Sequence, residues 1–218
     1  MADLVQQMIT YAKRHGDLLM RYLLEHIFIL VVSFILSYVV AAIIAVIVRK
    51  IPITRGLVNG VCNAIFAIPT LAMFALLIPY TGMGERTAIT TIVLYNQFSI
   101  VKNINQGFDG IDKGVMESAK AMGMSSWLQL WNVKLPLAMP TIISGMKMCL
   151  IATLTMSTLA ASIGAGGLGV LLFRGLSMKK WNQVAWGIVL TLILGIIVNK
   201  VMEILEDYSL RKSRGYGK

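Results

Sequence analysis

Charged side chains are sparse along this chain and fall mostly between long apolar blocks. Residues 27–48, from Ile27 to Val48, carry no charge. At about 1.5 Å of rise per residue, a helix of that length crosses a hydrocarbon core of about 30 Å. Further apolar blocks cover about 57–80, 87–104, 141–163 and 184–205. The pattern predicts an all-α polytopic membrane protein with five spans in a single domain, 1–218. Ahead of the first block, Leu4, Val5, Met8, Ala12, Leu19, Tyr22 and Leu23 recur at helical spacing. An amphipathic helix within residues 1–26 is therefore expected to lie on the outer membrane surface before the first span.

Composition agrees with a membrane bundle. Hydrophobic residues make up 57% and charged residues 14%, where a soluble domain carries roughly 25% charged. The net charge of +10 does not argue for nucleic acid, which needs a basic patch on a water-soluble surface. Cations at span ends facing anionic lipid account for it. With the C-terminus placed inside, eleven Lys and Arg side chains are cytoplasmic, among them Arg49, Lys50, Lys212, Arg214 and Lys218, and seven lie on the other side. That asymmetry predicts an external N-terminus and a cytoplasmic C-terminus. The first 25 residues carry Lys13, Arg14, Asp17, Arg21 and Glu25 without a small-residue cleavage site, so no cleavable leader is expected.

The stretch between the third and fourth spans, 105–140, is the most polar interior segment. Gly107, Gly110 and Gly114 break the helix leaving the third span. Residues 115–122 favour a short helix that Asp112 can cap. Gly123 permits a backbone reversal. Ser125 or Ser126 can cap a second helix through Trp127, Leu128, Leu130 and Trp131, and Pro136 and Pro140 are expected to close the segment. The result is a helix-turn-helix knob in water. Ser118, Ala119 and Ala121 would form a small-residue side that a partner can approach closely, with Met124, Trp127 and Leu128 as apolar anchors.

This stretch also has an ordered pattern: Glu117-Ser118-Ala119, then Gly123, then Val133, then Leu135-Pro136. It resembles the "EAA" loop of membrane subunits of ATP-binding cassette (ABC) importers, departing only in Ser118 for Ala and Val133 for Ile. Phe66–Ala72 with Ile78–Gly84, and Ser162–Gly169 with Phe173-Arg174-Gly175, are similar to permeases for glycine betaine, carnitine and choline, and the last also to methionine permeases. The likeness covers roughly residues 20–205 and implies a type I, methionine-permease-like fold with a cytoplasmic coupling helix. It implies a bacterial cell-membrane location and no catalytic residues. The implied partners are an ATPase that binds Mg-ATP, a second permease, identical or homologous, and an extracellular substrate-binding protein or domain. The docking residues it assigns are Glu117, Ser118, Ala119, Met122, Gly123, Met124, Ser125, Trp127 and Leu128. Alternating access would follow from ATP-driven closure of the ATPase pair, drawing the two loops together.

Polar residues inside spans usually face protein or a water-filled cavity. Asn59 and Asn63, at i, i+4, share a face of the second span, which also contains Pro69. Tyr95 and Asn96 mark the third span. Thr153, Thr155 and Thr158 mark the fourth, where Met156 and Leu159 could build a constriction with a second subunit. These are the pathway candidates, together with Lys147, which is expected to snorkel toward the cytoplasmic interface. Aromatic residues make up 8% of the chain and do not cluster in the spans, so an aromatic cage for a quaternary ammonium is expected on the separate binding protein.

Gly164-x-Gly166-x-x-Gly169 satisfies a dinucleotide pattern but lacks its context, a preceding strand and an acidic residue about 20 positions on. A tight external turn is expected there instead. Cys62 and Cys149 read as buried hydrophobes. His15 and His26 complete no catalytic or metal arrangement, so no metal or cofactor is expected on this chain. The rival readings are a methionine or amino-acid permease of the same architecture and a secondary transporter working without an ATPase.

Overall fold

The computed structural model describes residues 2–51 and 53–213. Arg214 and Lys218 lie outside the described residues, as do the side chains of Arg49, Lys50 and Lys212. The helices follow in order as α1 (Ala2–Lys50), α2 (Thr54–Ala67), α3 (Thr70–Thr81), α4 (Glu85–Asp109), α5 (Lys113–Ala121), α6 (Ser126–Gln129), α7 (Leu135–Ala160), α8 (Gly169–Ser177) and α9 (Trp181–Ser213). A π-turn, Leu130–Lys134, joins α6 to α7, and a 3₁₀ turn, Ala161–Ile163, ends α7. No strand occurs among the described residues.

Three segments are long and apolar enough to cross a membrane: Asp3–Val48, Ser126–Ile163 and Trp181–Arg211. The pair α2 and α3, bent by 102°, has the length and composition of a fourth when counted as one broken segment. Helix α4, with 25 residues, has the length but not the hydropathy. It packs against α1, α2, α3 and α7 and buries Thr87, Thr91, Tyr95, Asn96, Gln97 and Asn105. A central helix meets its polar needs from neighbouring helices and need not resemble lipid. Helices α1 and α9 are the reverse. Phe28, Ile35, Ile43, Leu192, Ile196 and Ile204 are all exposed, an outward apolar surface suited to lipid as solvent.

The breaks have local causes. The amphipathic segment expected as a separate surface helix is continuous with the first span, kinked at His15 (φ −132°, ψ 28°) just before Gly16. It packs onto the bundle: Tyr11 and Leu19 are buried with Leu168, Leu171 and Leu194, and Trp186 Nε1 donates to the Met8 carbonyl at 3.0 Å. The block at 57–80 is two helices. Pro69 has no N–H to continue α2 and drives Ile68 into extended geometry (ψ 132°). The Tyr95 hydroxyl donates to the carbonyl of Ile68 left at the break.

Two other boundaries differ from expectation. Pro136 and Pro140 do not close the loop; they lie inside α7. The π-turn just before them shifts the register, so that Leu135 N–H bonds the Leu130 carbonyl, and the proline without a donor enters at a turn already re-spaced. Gly107 does not end α4, which runs on to Asp109. A Cβ at Gly107 would stand 3.0 Å from the Ala138 carbonyl, so the missing side chain serves the approach of α7, as small residues do between membrane helices.

Candidate functional site

At one end of the bundle α5 and α6 form the knob. Asp112 caps α5, Oδ1 accepting from Gly114 N–H at 2.7 Å and Val115 N–H at 3.2 Å. Gly123, at φ 72°, reverses the chain. Its N–H bonds the Lys120 carbonyl at 2.9 Å while Met124 N–H bonds the Ala119 carbonyl at 3.2 Å, a paired Schellman closure. Ser125 Oγ accepts from Leu128 N–H at 3.3 Å to start α6. The buried Gln129 donates from Nε2 to the Met124 carbonyl at 2.7 Å and pins the turn from beneath.

The knob turns apolar surface outward. Met122 is 73% exposed, Trp127 67%, Trp131 50% and Leu128 47%, and the two indoles meet edge to face at 5.4 Å. Apolar side chains this exposed at the tip of a capped loop are of the kind a partner surface can cover. Glu117 and Ser118 are exposed, with Ser118 Oγ bonded to the Gly114 carbonyl at 2.9 Å. The small-residue side is not a single partner-facing surface: Ala119 is 1% exposed and packs inward, while Ser118 and Ala121 face out. Met124 is half-buried. Gln129 and Trp131 were not among the expected docking residues. A glutamine between Leu128 and Leu130 was the signal for a buried brace.

The polar residues of the spans separate into distinct groups. Asn59 and Asn63 line a cavity of about 330 Å³ together with Arg55, Phe98, Lys102 and Asn105. Arg55 pairs with Asp109, tying α2 to the end of α4. Asn96 is buried instead, donating from Nδ2 to Ser37 Oγ and Thr153 Oγ1, both at 3.0 Å. It fastens α1, α4 and α7 together. Tyr95 braces the break at Ile68, beside the exposed Pro69.

The fourth-span residues do not form one wall. Thr153 is fully buried, whereas Thr155 faces out. The hydroxyls of Thr155 and Thr158 return to their own helix, to the Ile151 carbonyl at 3.3 Å and the Leu154 carbonyl at 3.1 Å. Met156 and Leu159 pack against a cluster containing Ile29, Phe74 and Ile92.

Lys147 has a partner near the C-terminal end of α9. Its Nζ lies 3.6 Å from Glu203 on α9, and Glu203 also meets Lys200 at 3.1 Å and Asn199 at 3.2 Å. A glutamate at position 147 would set like charge against Glu203 beside apolar spans, a repulsion that a charge swap relieves. Lys147→Glu is therefore expected to cut the yield of folded protein several-fold, and Lys147→Glu with Glu203→Lys to restore most of it. Size-exclusion profiles of the three variants check this; a double variant no better than the single one rules the pairing out.

At the opposite end, Gly164, Gly166 and Gly167 all adopt positive φ, 79°, 83° and 79°. The loop they shape receives a carboxylate from the chain itself. Gly167 N–H donates to Glu25 Oε2 at 3.0 Å, and Arg21 holds the other oxygen at 2.8 Å. The glycine pattern is a tie for α1.

Against this geometry, residues 37–215 match the family described as "Binding-protein-dependent transport system inner membrane component". The chain belongs to that family. It is thus a membrane component of a transport system, with the all-helical type I permease fold. Its relatives include the glycine betaine/carnitine/choline transport system permease protein OpuCB of Bacillus subtilis (strain 168), 33% identical over 93% of each chain. The choline transport system permease protein OpuBB of the same organism is 32% identical, again over 93% of each. Among solved structures, an inward-facing form of the MetNI methionine ABC transporter superposes with a TM-score of 0.81 at 21% identity, covering 90% of this chain and 98% of that one. An amino acid ABC transporter solved with histidines gives 0.77 at 15%, covering 91% and 97%. At such identities the likeness speaks for the fold alone.

Proposed function

We propose that this permease is the transmembrane subunit of an ATP-driven importer for quaternary-ammonium osmoprotectants of the glycine betaine, carnitine and choline class. The knob of α5 and α6 docks a separate ATPase, which carries the Mg-ATP. A second permease subunit completes the pathway, and an extracellular binding protein or domain delivers the solute. The chain itself performs no chemistry. The N-terminus lies outside and the C-terminus in the cytoplasm, which puts the knob where ATP is.

The observation that carries this reading is the knob: a loop capped at both helix starts, closed by Gly123, with Met122, Trp127 and Leu128 turned outward. A carrier working alone has no use for such a tip. The mechanics follow from connectivity. Ser126–Ile163 is one helical run, so a force on Trp127 reaches Thr155 and Leu159 along a single rod. The contacts of α7 with α4, through Gly107 and Ala138, pass the displacement to the wall containing Asn59 and Asn63. Substrate class rests on the permeases OpuCB and OpuBB as relatives. The methionine alternative has support only from fold.

The test is ATPase stimulation in the purified assembly. Betaine, carnitine or choline, delivered with the binding protein, is expected to raise turnover several-fold, and methionine to leave it at the basal rate. Stimulation by methionine alone would overturn the substrate class, and solute uptake by the chain without an ATPase would overturn the coupling.

A further inference from the structure

At the end of the bundle opposite the knob, the start of α1 crosses the α8–α9 turn and encloses two adjoining clefts. One, of about 520 Å³, is lined by Gln6, Thr10, Arg14, Lys179, Lys180 and Trp181, among others. The second, of about 220 Å³, adds Arg174 and Tyr22. Tyr11, His15, Lys180 and Gln183 belong to both. Four basic side chains from three elements thus converge on one place, and among the described residues neither cleft is lined by an acidic side chain.

The backbone is bent to hold this arrangement. His15 sits at the kink of α1, stacked on Tyr11 with ring centroids 4.5 Å apart. Lys179 adopts φ 54°, the only positive-φ residue other than glycine among the described residues. It occupies the position after α8 where glycine is usual: Lys179 N–H bonds the Leu176 carbonyl at 3.2 Å and Lys180 N–H the Gly175 carbonyl at 2.8 Å. The carbonyl end of α8 favours a cation, which accounts for a lysine here. It does not account for Arg14, brought in from α1. Strained backbone outside glycine is retained where the surroundings require it.

The neighbourhood identifies the level in the membrane. Val5 and Ile9, on the same helix, are 55% and 47% exposed, and Trp181 is 61% exposed where α9 begins its apolar run. An apolar helical face beside cations, with aromatic residues at the start of a span, is the composition of the headgroup layer. We propose that this cleft binds the phosphate headgroup of an anionic phospholipid, such as phosphatidylglycerol, and so anchors the kinked start of α1 to the α8–α9 turn. The acyl chains would lie along Val5 and Ile9.

Native mass spectrometry of the purified importer, titrated with phosphatidylglycerol or phosphatidylcholine, tests this. Wild type is expected to bind phosphatidylglycerol at least ~10-fold more tightly, with each cation removed lowering the preference about fivefold. Lys179→Gly removes charge while relieving the left-handed backbone, so it keeps the fold and reports binding alone. Arg14→Gln with Lys179→Gly and Lys180→Gln is expected to abolish the preference. Arg86→Gln, at the same end but outside both clefts, is expected to leave it intact. Equal binding of the two lipids by wild type overturns the proposal, as does a preference unaffected by Lys179→Gly. Displacement of the lipid by inorganic phosphate also overturns it, as does a cleft that instead binds an acidic solute-binding protein in a Lys179-dependent manner.

Discussion

Aspartate in place of Gly123 is expected to abolish ATP-driven uptake while the protein still inserts and folds. The backbone cost is small. Gly123 has φ 72°, and a Cβ there meets nothing within 4 Å, so the strain is that of one left-handed residue, about 1–2 kcal/mol. The carboxylate does the damage. It would stand beside Met122, 73% exposed, on the surface proposed to be covered by the ATPase. Burying an unpaired charge in an apolar interface costs several kcal/mol; about 3 kcal/mol weakens docking by more than ~100-fold. Co-purification of the ATPase should be lost and uptake should fall to background. Gly123→Ala adds strain without charge and should retain much of both. An aspartate variant that still transports and still retains its ATPase removes Gly123 from the interface.

The largest effect on folding is expected at Gly169. A Cβ there would lie 2.0 Å from the Thr158 carbonyl oxygen and 2.8 Å from the Ala161 Cβ. The carbonyl belongs to backbone and cannot swing aside, so α8 must lift from the end of α7. Overpacking of this kind costs about 1–3 kcal/mol, or more where nothing yields. At about 2–4 °C per kcal/mol for a chain of this size, Gly169→Ala should lower the midpoint of thermal unfolding in detergent by about 5–10 °C. Gly60→Ala is the control, because a Cβ there meets nothing within 4 Å; its midpoint should not fall below wild type, since alanine also suits a helix interior better than glycine. A Gly169→Ala midpoint no lower than wild type would mean that α8 does not press on Thr158.

How far the sequence discloses this architecture depends on what kind of residue carries each feature. The apolar blocks of α1, α7 and α9 are visible because lipid demands long runs. Helix α4 is harder to place, since a helix wrapped by protein can be polar. The caps at Asp112 and Ser125 and the reversal at Gly123 are local chemistry and legible residue by residue. The π-turn is not: nothing in Leu130–Lys134 announces an extra residue in the turn, and two prolines read naturally as an end. Partners distant in the chain are equally hidden. Lys147 looks solitary until α9 brings Glu203 beside it, and Asn96 looks like a pore residue until Ser37 and Thr153 close around its amide. The glycines at 164–167 signal a turn, but only the fold supplies Glu25 to fill it.

The π-turn between α6 and α7 has a consequence for how such a tip can change. It holds one residue more than an ordinary helical turn, so the residues on either side of it are out of phase by about 100°. Losing or gaining a single amino acid in Leu130–Lys134 would swing Trp127 and Leu128 to a new bearing while leaving the membrane rod and its contacts in register. Compatibility with a different motor could thus arise through a one-codon indel at this swivel, with no redesign of the span.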